Sequence, residues 1–290
     1  MLKIYLSETG GDRKLDDNYQ TYLNRLARMT LPEAYKSQIQ HIQESSKFRL
    51  TPGGGRQAVS FPGYTVITPP GEEDKLENSS FYAQLQNFQQ ELLQLPLNCD
   101  LIVPVPPASF HFTLADLIWE DTYRDVCVKN PDFDKQLRTC FTEIFEQYQK
   151  SMAARTRPII WQILGLIVMP RAIGVCLVPQ NQECYEQIVN LRRAIYQNPK
   201  LIALGIEQHY HFTGHITLAY FGEVSPTLDR DHLLSMLEKL NQQWVLRSSE
   251  IVIRRAELRK FDDMTNYYRE PDWPILELGG ASALGGFPDL

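Results

Sequence analysis

The chain has 290 residues, of which 43% are hydrophobic and 22% charged, as is usual for a soluble globular protein. Its formal net charge of −6 argues against an extended basic surface for long duplex nucleic acid, whereas a small phosphorylated ligand needs only a few local donors. The five cysteines are scattered and lack C-x-x-C spacing, which indicates free thiols in a reducing compartment. We therefore expect a cytoplasmic protein, and we expect it to be a monomer.

Residues 1–63 are predicted to form an N-terminal extension. Helical spacing is found over 15–29 and again over 31–45, after a proline, and a glycine-rich loop follows at 51–63. The loop lacks the G-K-[ST] sequence of a phosphate-binding P-loop, so we interpret it as a surface loop. The first residues also lack the apolar stretch of a signal peptide.

From residue 64 onward, strands and helices alternate in two similar halves. In the first half the pattern predicts strands at 64–68, 100–105, 110–114 and 159–169, with helices at 79–95 and 132–150. In the second half it predicts strands at 173–178, 210–221 and 250–258, with helices at 182–196 and 228–244. The longest apolar run, 158–170, is too short for a membrane helix, which needs about 20 residues, so no membrane partner is expected.

Each half has the order β-α-β-α-β with a His-x-Thr sequence in its middle strand. The histidines are separated by nearly the same offset as the opening strands, which suggests an internal duplication. The sequence therefore predicts an α+β fold with two pseudo-symmetric lobes, about 64–170 and 171–278, and a flexible glycine-rich tail at 279–290.

The two His-x-Thr sequences are H-F-T-L, beginning at His111, and H-I-T-L, beginning at His215. Because side chains at i and i+2 point to the same face of a strand, Thr113 lies beside His111 and Thr217 beside His215. The intervening hydrophobic residues point to the opposite face and can be buried against helices. Each motif thus presents an imidazole and a hydroxyl from a strand with an apolar back.

These motifs resemble those of the two-histidine (2H) phosphoesterases, a superfamily named for paired H-x-[ST]-x sequences in which x is hydrophobic. The resemblance covers roughly 64–261. It implies a cleft between two antiparallel sheets, with one motif facing the other across it. It also implies a cyclic phosphodiesterase or an RNA-end-processing enzyme, whose substrate is a small cyclic phosphate or the 2′,3′-cyclic phosphate end of an RNA.

Two histidines suit the hydrolysis of a phosphodiester because one can activate water while the other protonates the leaving oxygen, and the ordinary pKa of about 6.5 serves both tasks. Hydroxyls can donate to the non-bridging oxygens, where charge develops. No metal or other cofactor is required. We predict His111 and His215 as catalytic residues whose acid and base roles stay open.

The residues predicted to contact the substrate include two from the motifs and three from elsewhere in the chain. They are Thr113, Thr217, Arg171, Tyr64 and Tyr220.

Three alternatives stay open. His211-Phe212-Thr213 is a further H-x-T, although Gly214 follows it where the family pattern requires a hydrophobic residue. His209, His211 and His215 have H-x-H-x-x-x-H spacing, which a metal-dependent enzyme could use. A protein that binds a nucleotide or phosphorylated ligand without catalysis would also retain the cleft.

Overall fold

The structure, a computed structural model, describes residues 16–74, 77–97, 100–152 and 157–279. The predicted tail lies outside these ranges apart from Gly279, as do the first fifteen residues of the predicted extension. The α-helices are α1 (Tyr19–Met29), α2 (Pro32–Ile39), α3 (Ser79–Leu93), α4 (Glu120–Lys129), α5 (Phe133–Met152), α6 (Gln182–Tyr196), α7 (Pro199–Ala203) and α8 (Arg230–Val245). The strands are β1 (Phe48–Leu50), β2 (Arg56–Ala58), β3 (Gly63–Ile67), β4 (Ile102–Pro104), β5 (Thr113–Trp119), β6 (Ile159–Val168), β7 (Ala172–Pro179), β8 (His215–Phe221), β9 (Glu250–Ile253), β10 (Arg255–Asp263), β11 (Asn266–Tyr268) and β12 (Ile275–Glu277).

The strands form two five-stranded sheets and the separate β1–β2 hairpin. Sheet one has the order β11-β10-β3-β5, with β12 also paired to β10, and sheet two has the order β4-β8-β7-β6-β9. Every pair in both sheets is antiparallel. The predicted mixture of helices and antiparallel sheets is confirmed, whereas the pseudo-symmetry of two lobes stays a prediction.

The sheets exchange strands along the chain, so they do not divide at residue 170. Strand β6, predicted to close the first half, lies between β7 and β9 in sheet two, and β4 lies at the edge of the same sheet. The prediction of a single strand at 250–258 is wrong, because this segment forms two strands. β9 pairs with β6 in sheet two, and β10 pairs with β3 in sheet one. The chain changes sheets at Arg254, where the buried positions shift from Ile251 and Ile253 to Ala256 and Leu258.

Helices α1 and α2 attach the N-terminal extension to sheet two. α1 packs against α6 and β7, and α2 packs against α8 and β6. The buried Tyr35 of α2 also donates a hydrogen bond from its hydroxyl to the Leu166 carbonyl at 2.6 Å. Among the helices in the described ranges, none is long and apolar enough to cross a membrane.

Both motif strands begin later than the hydropathy pattern predicts. β5 begins at Thr113 because residues 107–109 form a 3-10 turn in a proline-rich segment. β8 begins at His215, and residues 210–214, which were predicted to be strand, form a loop. His215 is consequently the first residue of β8 and His111 lies two residues before β5, and at both places a loop carbonyl can reach the imidazole.

Candidate functional site

A cavity of about 520 Å³ lies between sheet one and sheet two, within the range of small-molecule sites. His111 and Thr113 line it from the side of sheet one, and His215 and Thr217 line it from sheet two. Two further predicted substrate contacts line the same cavity, namely Arg171 and Tyr220. The structure therefore brings six of the seven predicted site residues together.

The two imidazoles are held in the same way. Nδ1 of His111 lies 2.7 Å from the Ser109 carbonyl oxygen, and Nδ1 of His215 lies 2.8 Å from the Thr213 carbonyl oxygen. Because a carbonyl can only accept, Nδ1 carries the proton in each ring. Nε2 is then the nitrogen that remains for chemistry in the cavity, as an acceptor when the ring is neutral and as a donor when it is charged.

The hydrophobic residues of both motifs are buried and do not line the cavity, and Phe112 of the first motif belongs to an aromatic cluster. Phe112 contacts Trp161 of sheet two at a ring-centroid distance of 5.1 Å and stacks on Phe212 at 6.0 Å. Trp161 and Phe212 also contact each other at 5.8 Å. The cluster joins the first motif to sheet two and to the loop before His215, and so it fixes the mutual placement of the two histidines.

The surroundings of His111 favour the neutral imidazole. Burial lowers its pKa to about 4, against the opposing effects of the Ser109 carbonyl and the Asp116 carboxylate. The charge of His215 also lowers the pKa of His111, which places the two rings within electrostatic reach of each other. The Tyr267 ring packs on His111 at a centroid distance of 4.2 Å and supplies part of this burial.

Strand β5 contributes cavity-facing residues at three-residue spacing. The register between β5 and β3 shifts twice. As a result, every second residue of β3 pairs with every third residue of β5, namely Thr113, Asp116 and Trp119. All three line the cavity. The Asp116 carboxylate accepts a hydrogen bond from the Tyr210 hydroxyl, which connects this strand to the loop before β8.

Behind His111, a buried ion cluster holds the residue that packs on its ring. Arg259 of β10 donates to the Glu257 carboxylate at 2.5 Å and to the Glu73 carboxylate at 2.5 Å. The same guanidinium donates to the Tyr267 carbonyl at 3.0 Å. Since Arg259 is only 2% exposed, this cluster is a fixed support behind Tyr267, which lines the cavity.

Helix α1 holds the loop that precedes His215. Arg25 donates to the Thr213 hydroxyl at 2.8 Å and to the Phe212 carbonyl at 2.5 Å. The Tyr22 hydroxyl accepts from the Gly214 amide at 3.0 Å. The N-terminal extension thereby contacts the backbone on which the second motif depends.

Tyr64 is a correction to the predicted site. Its side chain is fully buried and does not line the cavity, whereas the neighbouring Thr65 does. Because adjacent residues of a strand point to opposite faces, Tyr64 packs beneath sheet one against Tyr123 and Trp273.

The alternative histidines lie outside the cavity. The Nδ1 atom of His211 is 3.7 Å from the Asp17 carboxylate, and His209 packs on Trp119. In the ranges that the structure describes, no group of three or more His, Cys, Asp or Glu side chains could hold a metal ion. The H-x-H-x-x-x-H spacing therefore does not assemble a metal site.

Several cavity residues were missed at the sequence level, among them Lys47, Asp116 and Tyr267. Asp116 had a usable signal, since it follows the first motif within the same strand. Lys47 and Tyr267 lie far from both motifs in the chain and enter the cavity only through the pairing of distant segments.

The sequence matches no family model and no curated protein. The fold is similar to that of a conserved protein of unknown function from Agrobacterium tumefaciens, at 17% identity and a TM-score of 0.53, over 84% of this chain and 96% of that one. A Thermus thermophilus protein has 15% identity and a TM-score of 0.39, over 76% of this chain and 99% of that one. Escherichia coli LigT complexed with 3′-AMP has 13% identity and a TM-score of 0.39, over 75% of this chain and 95% of that one. At these identities the Agrobacterium protein shows a shared fold.

Proposed function

We propose that this protein is a metal-independent phosphodiesterase that hydrolyses a small cyclic phosphate or the 2′,3′-cyclic phosphate end of an RNA. The observation that carries the proposal is the paired arrangement of His111 and His215, which line one cavity with Nδ1 of each bound to a carbonyl. Each has a threonine hydroxyl two residues further along, on the same face.

In the proposed reaction, Nε2 of one histidine removes a proton from water as the water oxygen bonds to phosphorus. The ester bond to the leaving oxygen breaks, and Nε2 of the other histidine gives that oxygen a proton. Thr113 and Thr217 donate to the non-bridging oxygens. The lowered pKa of His111 leaves it neutral before the substrate binds, which favours it as the base.

The test is a panel of nucleoside 2′,3′-cyclic and 3′,5′-cyclic phosphates together with an RNA oligonucleotide that ends in a 2′,3′-cyclic phosphate. We expect turnover that survives EDTA, and a loss on the order of 10²–10⁴ in kcat for His111→Gln or His215→Gln. His211→Gln is the matched control, because it also alters an H-x-T histidine but one outside the cavity.

Full activity of the double His111→Gln, His215→Gln variant would contradict the proposal. Tight nucleotide binding without turnover of any compound on the panel would instead indicate a binding protein. Loss of activity with EDTA would support the metal-dependent alternative.

A further inference from the structure

Two cations line the same cavity without a carboxylate partner. Across the part of the chain that the structure describes, neither Lys47 nor Arg171 makes an ion pair. Asp116 and Glu120 also line the cavity, but Asp116 is bound by Tyr210, and Glu120 contacts neither cation through an ion pair. Glu44, the acidic residue nearest to Lys47 in sequence, forms an ion pair with Arg56 at 2.6 Å.

The segment that carries Lys47 is fixed to sheet two by its backbone. The Gln43 amide donates to the Pro170 carbonyl and the Ser45 amide donates to the Phe221 carbonyl, both at 2.8 Å. The Lys47 carbonyl accepts from the Val59 amide at 2.9 Å. These bonds set the backbone of Lys47 next to the end of β8, so its charge is held at the cavity by the fold.

The ammonium group of Lys47 lies between two aromatic rings. Its Nζ is 4.7 Å from the centre of the Phe61 ring and 5.0 Å from the centre of the Tyr220 ring. Nζ is also 3.5 Å from the Tyr220 hydroxyl. Cation–π contacts orient the group but leave its charge uncompensated, and a half-buried cation in this state attracts an anion.

Arg171 supplies the second cation from the turn between β6 and β7. Its guanidinium has one contact with a side chain in the described ranges, the Gln43 amide oxygen at 3.4 Å. An exposed guanidinium and an ammonium group at one cavity are suited to a phosphate monoester, whose oxygens accept from both.

We propose that Lys47 and Arg171 form an anion subsite for a second phosphate group of the substrate, separate from the phosphodiester between the histidines. This inference rests on the proposed function and narrows it to bisphosphorylated substrates, such as nucleotides with a 5′-phosphate in addition to the cyclic phosphate. Lys47 belongs to the N-terminal extension, so the extension contributes to substrate choice.

The first measurement compares kcat/KM for adenosine 2′,3′-cyclic phosphate and for the same compound carrying a 5′-phosphate. We expect the 5′-phosphorylated compound to be preferred by about 10-fold or more, since a charge-assisted hydrogen bond contributes at least that factor. In Lys47→Met we expect the ratio of the two kcat/KM values to fall towards one, and in Lys47→Arg we expect most of the preference to remain. The control is Lys36→Met, which removes an exposed charge of the same extension away from the cavity.

The second measurement does not depend on turnover. Calorimetry compares the binding of adenosine 3′-phosphate and adenosine 3′,5′-bisphosphate to the wild-type chain and to Lys47→Met. We expect about 10-fold tighter binding of the bisphosphate, and loss of this advantage in the variant.

The two proposals fail in different ways. If neither cyclic compound is cleaved but the bisphosphate retains an advantage that depends on Lys47, the subsite stands and the phosphodiesterase does not. If both cyclic compounds are cleaved equally and adenosine 3′-phosphate binds as tightly as adenosine 3′,5′-bisphosphate, the subsite is overturned and the phosphodiesterase stands.

Discussion

Arg25 of the N-terminal extension and Thr213 of the loop before β8 are joined by a hydrogen bond of 2.8 Å between side chains. The carbonyl of the same threonine accepts from Nδ1 of His215 at 2.8 Å. Arg25 also donates to the Phe212 carbonyl, so its guanidinium holds both the Thr213 side chain and the peptide unit that precedes this residue. A residue outside the two motifs thus acts on His215 through one intermediate, which makes Arg25 a positioning residue.

The first prediction concerns Arg25→Met. The variant leaves Thr213 without its partner, so the carbonyl that holds His215 becomes less well placed, and we expect kcat to fall by roughly 10-fold with little change in KM. The effect is checked by steady-state kinetics together with nitrogen-15 NMR of the His215 ring. The wild type is expected to carry the proton on Nδ1, and the variant to show a mixture of tautomers.

Arg28→Met is the control, because Arg28 is exposed on the same helix. Equal losses of kcat in the two variants, or an unchanged His215 tautomer in Arg25→Met, would show that Arg25 has only a structural role.

The second prediction concerns stability as a function of pH. Burial lowers the pKa of His111 to about 4 in the folded chain, whereas the unfolded chain has the ordinary value of about 6.5. Between these values the unfolded state binds a proton that the folded state does not, so the free energy of unfolding decreases as pH falls from about 6.5 towards 4. The contribution of His111 to this decrease is expected to be about 3 kcal/mol.

Urea unfolding between pH 4 and pH 7.5 measures this contribution as the difference between the wild type and His111→Gln. Phosphate buffers must be avoided, because a bound anion would stabilise the charged ring. His232→Gln, which alters an exposed histidine of α8, is expected to retain the wild-type slope. Parallel curves for the wild type and His111→Gln would contradict the burial argument.

Much of the site was predictable because its chemistry is repeated in short motifs. An H-x-T-x sequence in a strand specifies which side chains share a face, and the structure places His111 and Thr113 at the cavity with Phe112 buried behind them. Tyr64 was misplaced because every residue of β3 is buried, so its sequence carries no alternation to show which face meets the cavity.

The exchange of strands between sheets was harder to predict. The one local signal is the pair Arg254 and Arg255, where the alternation of buried residues changes phase between β9 and β10. Lys47 had no local signal at all, since its place at the cavity depends on backbone bonds to Pro170 and Phe221, which lie far away in sequence.

The third prediction concerns the two motif hydroxyls. Thr113→Val and Thr217→Val keep the shape of the side chain and remove one donor each. If the hydroxyls stabilise charge on the non-bridging oxygens, kcat falls by about 10- to 100-fold in each variant. Thr139→Val on the exposed face of α5 is the control. An unchanged kcat in the double variant would exclude both hydroxyls from the chemistry.

The fourth prediction concerns Gly174 of β7, which lies against the second motif. A Cβ at this position would be 2.1 Å from the Ile216 carbonyl oxygen and 3.0 Å from the Cα of Thr217. The pairing of β7 with β8 slips between Ile173 and Gly174, so the backbones have no room to separate without moving Thr217.

We therefore expect Gly174→Ala to lower the free energy of unfolding by about 2 kcal/mol or more, because backbone atoms cannot yield as a flexible side chain would. Where the variant folds, kcat should also fall, since the shift reaches the strand that carries His215. Gly53→Ala is the matched control, because a Cβ there has no neighbour within 4 Å among the described residues. Chemical denaturation and kinetics at one temperature test both effects, and equal stability of the two variants would show that β7 and β8 are less closely apposed than the structure has them.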